Sequence, residues 1–159
     1  MLILSNLSLL VSAEKVNSPA GVEYNSDLLR VFDDESYVND LMNEKNFIGL
    51  KIIENQTWIR VTVVLKDNSG IIVEGNKSQR AELVNQKVEW TKKEAERFLK
   101  IFSNEEYIKN ARITSGGFGG LISEEGLNFL LNSTEVDYIS WSQYKLENIL
   151  EESVELILV

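Results

Sequence analysis

Four glycines at positions 116, 117, 119 and 120, and three pairs of adjacent acids, Glu105-Glu106, Glu124-Glu125 and Glu151-Glu152, are the residues with the most obvious chemical potential. Bare backbone N–H groups in a glycine loop can cradle a phosphate, and two carboxylates can act as acid and base. The spacing supports neither use. No Lys-Ser or Lys-Thr follows the glycines, and they do not fall into a G-x-G-x-x-G pattern. Adjacent residues on a helix diverge by about 100° and do not converge on one substrate. A glycine hairpin that lets another backbone approach closely, and acids on solvated faces and helix N-termini, account for both sets. The chain has no His and no Cys. That removes Ser-His-Asp and Cys-His nucleophiles, His or thiolate metal sites, thiol redox chemistry and disulfides. Carboxylate-only chemistry survives, and a carboxylate-dependent enzyme is the rival it leaves, but no catalytic residue, metal site or cofactor is expected, and the chain is read as a binding protein rather than an enzyme.

The 159 residues suit one small domain with extensions, and 43% hydrophobic with 26% charged residues describes a folded chain. The 16 Lys+Arg against 25 Asp+Glu leave −9, which repels polyphosphate, argues against nucleic acid and favours a basic partner surface. Residues 1–13 are Leu-rich and end in Val11-Ser12-Ala13, a pattern consistent with either a signal peptide or a buried N-terminal strand, and too short and polar to span a membrane. Residues 14–56 read as an extension: a linker, then a short helix in which Tyr37, Val38 and Leu41 follow capping carboxylates Asp33-Asp34.

The clearest strand is 57–66, where Ile59, Val61, Val63 and Leu65 alternate with Trp58, Arg60, Thr62 and Val64. A helix follows over 78–102, with Ser78 as N-cap and Ala81, Val84, Val88, Thr91, Ala95, Phe98 and Phe102 along one stripe. Leu83, Trp90 and Ile101 lie about 100° away and call for a second apolar neighbour, for which the N-terminal segment is the expected source. Strands are expected at 107–114 and 118–122, a Ser123-capped helix after them, and a last strand at 136–144. The order from 57 is β-α-β-β-α-β. This predicts an α+β, ferredoxin-like antiparallel sheet with two helices on one face. If Ile59, Val61, Val63 and Leu65 face the helices, then Trp58, Thr62 and Val64 face away, joined by Tyr138, Ser140 and Ser142 opposite Ile139 and Trp141. Such a face is unusually apolar, which marks either a partner surface or a surface covered by the Leu-rich N-terminus.

The strand Arg60-Val61-Thr62-Val63-Val64-Leu65-Lys66-Asp67, the long helix, the run from Gly117-Phe118-Gly119-Gly120 through Ser123-Glu124-Glu125-Gly126-Leu127, and Val136-Asp137-Tyr138-Ile139 together resemble the propeptide domain of subtilisin-like serine proteases, the inhibitor I9 family. The resemblance covers 57–148. It implies a helix-free sheet face (Trp58, Thr62, Val64, Tyr138, Ser140, Ser142) docked on a subtilisin-like serine protease, with the tail Tyr144, Lys145, Leu146, Glu147 and Asn148 in the substrate cleft as an added strand. It further implies inhibition, assistance to folding of the protease, and a secreted location. The stretch 149–159 is similar to the start of a mature protease domain, with Glu155 where a Pro is common. Thr134 stands where the family often has Pro, and Ser140, Trp141 and Ser142 stand where it often has helix-capping acids. The alternative is a small-molecule-binding regulatory domain of the same topology, similar to ACT-type modules, with a ligand loop at 116–120.

Overall fold

The computed structural model describes residues 14–44 and 49–141. The elements run β1 (Lys15–Asn17), β2 (Glu23–Asn25), α1 (Asp27–Asp33), α2 (Glu35–Asn43), β3 (Leu50–Ile53), β4 (Gln56–Leu65), α3 (Lys77–Phe102), β5 (Ile108–Ile113), β6 (Gly117–Ile122), α4 (Glu124–Leu131) and β7 (Val136–Trp141). The fold is α+β. Seven strands form one mostly antiparallel sheet in the order β1-β2-β7-β4-β6-β5, with β3 paired to β4, and the β2–β7 contact is parallel.

β4 is the strand around which the sheet assembles. Its β-branched run favours a pleated backbone, and it is paired on both edges: β6 lies along residues 59–64, while β3 takes residues 56–59 and β7 residues 61–65. Gly49 joins these neighbours, because its carbonyl accepts the Arg60 amide at 2.8 Å and the Trp141 indole N–H at 3.2 Å. Alternation then sorts the side chains. Ile59, Val61, Val63 and Leu65 are buried in the main core together with Phe118, Ile122, Ile139 and Trp141. Leu28 and Val31 of α1, Val38 and Leu41 of α2, Ala95, Phe98 and Phe102 of α3, and Leu127, Leu130 and Leu131 of α4 fill the same cluster. Since residues two apart on a strand share a face, all four helices pack on one side of the sheet.

Three expectations are corrected. The short helix expected behind Asp33-Asp34 is α2, capped by Asp34, but the stretch read as a linker is structured: 14–56 also supplies α1 to the core and three strands to the sheet, β1 and β2 beyond β7 and β3 on β4. The N-cap of α3 is Asn76 rather than Ser78. The Asn76 side chain accepts the Gln79 amide while Gln79 accepts the Asn76 amide, each at 3.0 Å, a reciprocal capping box. Only the C-terminal part of the long apolar stripe is buried, at Ala95, Phe98 and Phe102, whereas Val84 near its start is 46% exposed; Ile101, off the stripe in the last turn, is 64% exposed. The first turns of α3 run past the core, so that periodicity does not translate into burial there. Lys87 of α3 instead pairs with Asp67 in the loop after β4, and Arg97 pairs with Glu94 and with Glu135 just ahead of β7.

Local chemistry holds the remaining joints. Ser123 is buried and caps α4 by accepting the Gly126 amide at 3.1 Å, while its hydroxyl donates to the Glu106 carbonyl. Phe98, Phe102, Tyr107, Phe118 and Phe129 form an aromatic cluster with ring centroids 5.3–6.3 Å apart, between α3, α4 and the sheet. The close backbone approach expected at the glycines has a clear steric basis, since a Cβ on Gly117 would lie 2.2 Å from the Val63 carbonyl; in α4, a Cβ on Gly126 would likewise lie 2.3 Å from that of Tyr107.

Two outcomes follow. Gly117→Ala forces β6 away from β4 and lowers unfolding free energy by about 1–3 kcal/mol, measured by urea denaturation. Asp34, which caps α2, is held down from 3.8 to about 2 by hydrogen bonds from the Ser36 hydroxyl and the Tyr37 amide and by Arg30. A depressed carboxyl stabilises the fold above its unfolded value, and that contribution disappears as pH falls through the folded one. Asp34→Ala is therefore less stable than the parent at neutral pH, and the gap between the two melting temperatures closes as the pH falls from 3.8 to about 2.

Candidate functional site

Among the described residues every helix lies on one side of the sheet, and the other side carries the expected face. The register assigns its residues. Trp58, Arg60, Thr62 and Val64 alternate away from the core on β4; Leu121, Gly119 and Gly117 lie across from the last three on β6, and Ser140 and Tyr138 across from Thr62 and Val64 on β7. Thr62, Val64, Tyr138 and Ser140 are half-buried, and Trp58 is only 1% exposed. The structure thus gathers five of the six expected face residues on one surface. Ser142 lies outside the described residues, as do Tyr144, Lys145, Leu146, Glu147 and Asn148.

The chemistry of this face differs from the apolar character expected of it. Lys51 pairs across from Trp58, Lys109 across from Leu121, and Arg112 across from Gly119, so three cations join Arg60 on the helix-free side. Lys15 reaches over the Tyr138 ring, with its nitrogen 4.9 Å from the centroid, and pairs with Glu23 at 2.8 Å. The Glu23 carboxylate raises the Lys15 ammonium above its ordinary value, first through that hydrogen bond and then through its charge. Glu23 is the one acid that the described strand registers place on this side, against five cations. In a chain of net charge −9, the described strands therefore place an excess of positive charge on this face.

A bulge in β5 makes part of that charge. Lys109 and Arg112 are three residues apart, yet they pair with Leu121 and Gly119, which are two apart. One extra residue is taken up at Asn110, whose φ is +55°, and Arg112 is returned to the same side as Lys109. An unbulged strand would send Arg112 toward the helices. Asn tolerates left-handed backbone better than most residues, so this position carries a sequence signal that the reading of 107–114 as a plain strand did not use.

The corner formed by Trp58, Arg60, Leu121, Lys109 and Lys51 is chemically unusual. The Lys109 nitrogen sits 4.6 Å from the Trp58 ring centroid, a cation–π contact. Both Trp58 Nε1 and Arg60 Nε are buried donors with no hydrogen-bond partner among the described residues. Neither Trp58 nor Leu121, each 1% exposed, belongs to the main core cluster. By contrast, the glycines at 117, 119 and 120 sit within β6. A Cβ at Gly119 would lie 3.1 Å from the Val61 carbonyl, and one at Gly120 would lie 2.9 Å from the Ile108 side chain, so close packing accounts for them without a ligand. Among the described residues no group of three or more acids is placed to hold a metal ion, and no helix is long and apolar enough to cross a membrane.

Asn110→Val places a β-branched residue at positive φ and costs about 1–2 kcal/mol in urea denaturation, whereas Asn110→Gly is close to neutral. Comparison of the chain with protein-family models, with curated proteins and with solved structures finds no match.

Proposed function

We propose that this chain is a propeptide-like domain that binds a subtilisin-like serine protease through the helix-free face of its sheet, inhibits it, and assists folding of its catalytic domain. In this reading β4-α3-β5-β6-α4-β7 is a ferredoxin-like split βαβ unit of the inhibitor I9 type, and the strands and helices of 14–56 are additions to it. The observation that carries the reading is the order β7-β4-β6-β5, antiparallel throughout, with the helices confined to one side and Thr62, Val64, Tyr138 and Ser140 on the other. Among the described residues the helices cover one face only, and Thr62, Val64, Tyr138 and Ser140 on the other are half-buried, which supports a partner there.

Tyr144, Lys145, Leu146, Glu147 and Asn148 follow β7 directly and would enter the substrate cleft as an extended strand, gaining main-chain hydrogen bonds with the protease. The sheet face fixes the position of the domain, and the tail then competes with substrate. Such a role belongs with an exported protein. The positive face adds a requirement that the resemblance does not supply, since the protease surface opposite Lys51, Arg60, Lys109 and Arg112 must tolerate or complement positive charge.

The purified full chain is expected to slow hydrolysis of a peptide substrate by a subtilisin-type enzyme. Deleting residues 144–148 weakens inhibition sharply, and Thr62→Trp, which places a bulky ring in the middle of the docking face, weakens it by about tenfold or more. Unchanged hydrolysis at high micromolar protein contradicts the proposal.

A further inference from the structure

The α1–α2 corner and the tip of the β3–β4 hairpin border a cleft of about 340 Å³, within the size range of binding pockets, roughly 300–1,000 Å³. Strand pairing places the hairpin's share of it. Leu50 lies across from Ile59 and both are buried in the core, so Ile52 and Thr57, two residues nearer the tip and across from each other, share the helix side of the sheet. The turn runs through Glu54 and Asn55 at φ +52° and +64°, the left-handed pair that closes a two-residue hairpin, and Asn55 joins the rim. From the helices, Val31 and Val38 form a buried floor, Phe32 is half-buried beside it, and Asp33 and Glu35 are exposed at the rim.

Two features of this cleft are unsatisfied. Ile52 is 52% exposed although it belongs to an apolar wall. Neither Asp33 nor Glu35 has an ion-pair partner among the described residues, and none of the described residues lining the cleft is cationic. A fitting occupant carries an apolar stem and ends in a positive charge. The same corner shows the pattern once already: the Arg30 guanidinium lies 4.1 Å from the Tyr37 ring centroid and pairs with Asp34 at 3.0 Å, so that an aromatic face and a carboxylate hold it together. Phe32 with Asp33 and Glu35 offers the same combination on the cleft side. A planar, weakly hydrated guanidinium stacks on a ring and spans carboxylates better than an ammonium does.

We propose that the cleft seats an arginine side chain of a basic partner segment, with its stem against Val31, Val38 and Ile52 and its guanidinium between Phe32 and the carboxylates of Asp33 and Glu35. The net charge of −9 draws such a segment toward the chain, and the cleft gives it a fixed point. The site goes beyond the protease-binding reading. It lies on the opposite side of the sheet from Thr62, Val64, Tyr138 and Ser140, so occupation of one surface does not block the other.

Methyl NMR of the full chain tests this, with the peptide acetyl-Gly-Leu-Arg-Leu-Gly-amide titrated beside the same peptide carrying neutral citrulline in place of arginine. The arginine peptide is expected to shift the Ile52 and Val38 methyls and to leave Val84 on α3 unmoved. The citrulline peptide binds roughly tenfold more weakly or worse, the loss expected for charge-assisted hydrogen bonds. Asp33→Asn combined with Glu35→Gln imposes the same loss on the arginine peptide. Both residues are exposed and the Asp34 cap is kept, so the Val61 and Val63 methyls stay at their parental positions and report an intact fold. Ile52→Ala, which removes an exposed wall of the cleft, weakens binding several-fold. Equal affinity for the two peptides would overturn the proposal, as would parental affinity in the double variant. So would shifts at Val84 as large as those at Ile52, the mark of general attraction to an acidic chain, or no shift at roughly 10 mM arginine peptide. Failure of protease inhibition moves none of these readouts, so the two readings fail separately.

Discussion

The ten-residue β4 is paired with β6 along residues 59–64 on one edge and with β3 and then β7 on the other. Because the strand is held from both sides, its register cannot slip by one residue without sending Ile59, Val61, Val63 and Leu65 out of the core. The same constraint fixes everything on the opposite surface. Arg60 faces away from the helices because Ile59 and Val61 face them, and the positions of Leu121, Ser140 and Tyr138 follow from the pairing with β4. The Gly49 carbonyl, shared by Arg60 and Trp141, fastens the point where β3 gives way to β7 along that edge.

Charge is unevenly placed on the molecule. The helix-free sheet face carries Lys15, Lys51, Arg60, Lys109 and Arg112, α4 opens on Glu124 and Glu125, and α3 mixes four Glu with seven Lys and Arg. Net charge averages over this unevenness. A basic partner is the expectation from −9 alone, but the sheet face is complementary to carboxylates. The asymmetry also orients the molecule in the field of a partner before contact, an effect that weakens as salt is added.

The elements from 57 onward were legible because each has a strong local cause: a β-branched alternating run for β4, hydroxyl capping and leucines for α4, and a glycine turn into β6. The two-faced pattern of β4 was legible for the same reason. What was not legible depends on distant contacts. β1, β2 and β3 are three or four residues long and have no pattern of their own; pairing with β7 and β4 makes them strands. The buried length of α3 depends on where the sheet ends beneath it, which no helical period encodes. Arg112 reaches the sheet face only through the bulge at Asn110, and Lys51 only through pairing with β4, so the charge of the candidate face was hidden even where its uncharged members were identified.

The helix-free face is the surface proposed to meet a subtilisin-like protease. Methyl chemical-shift mapping of the full chain with a catalytically inactivated subtilisin-type enzyme tests it most directly. Shifts concentrated on Thr62 and Val64, with Val84 and Ile101 on α3 unchanged, are the predicted result. No shifts at saturating enzyme, or shifts confined to the helix layer, would contradict it.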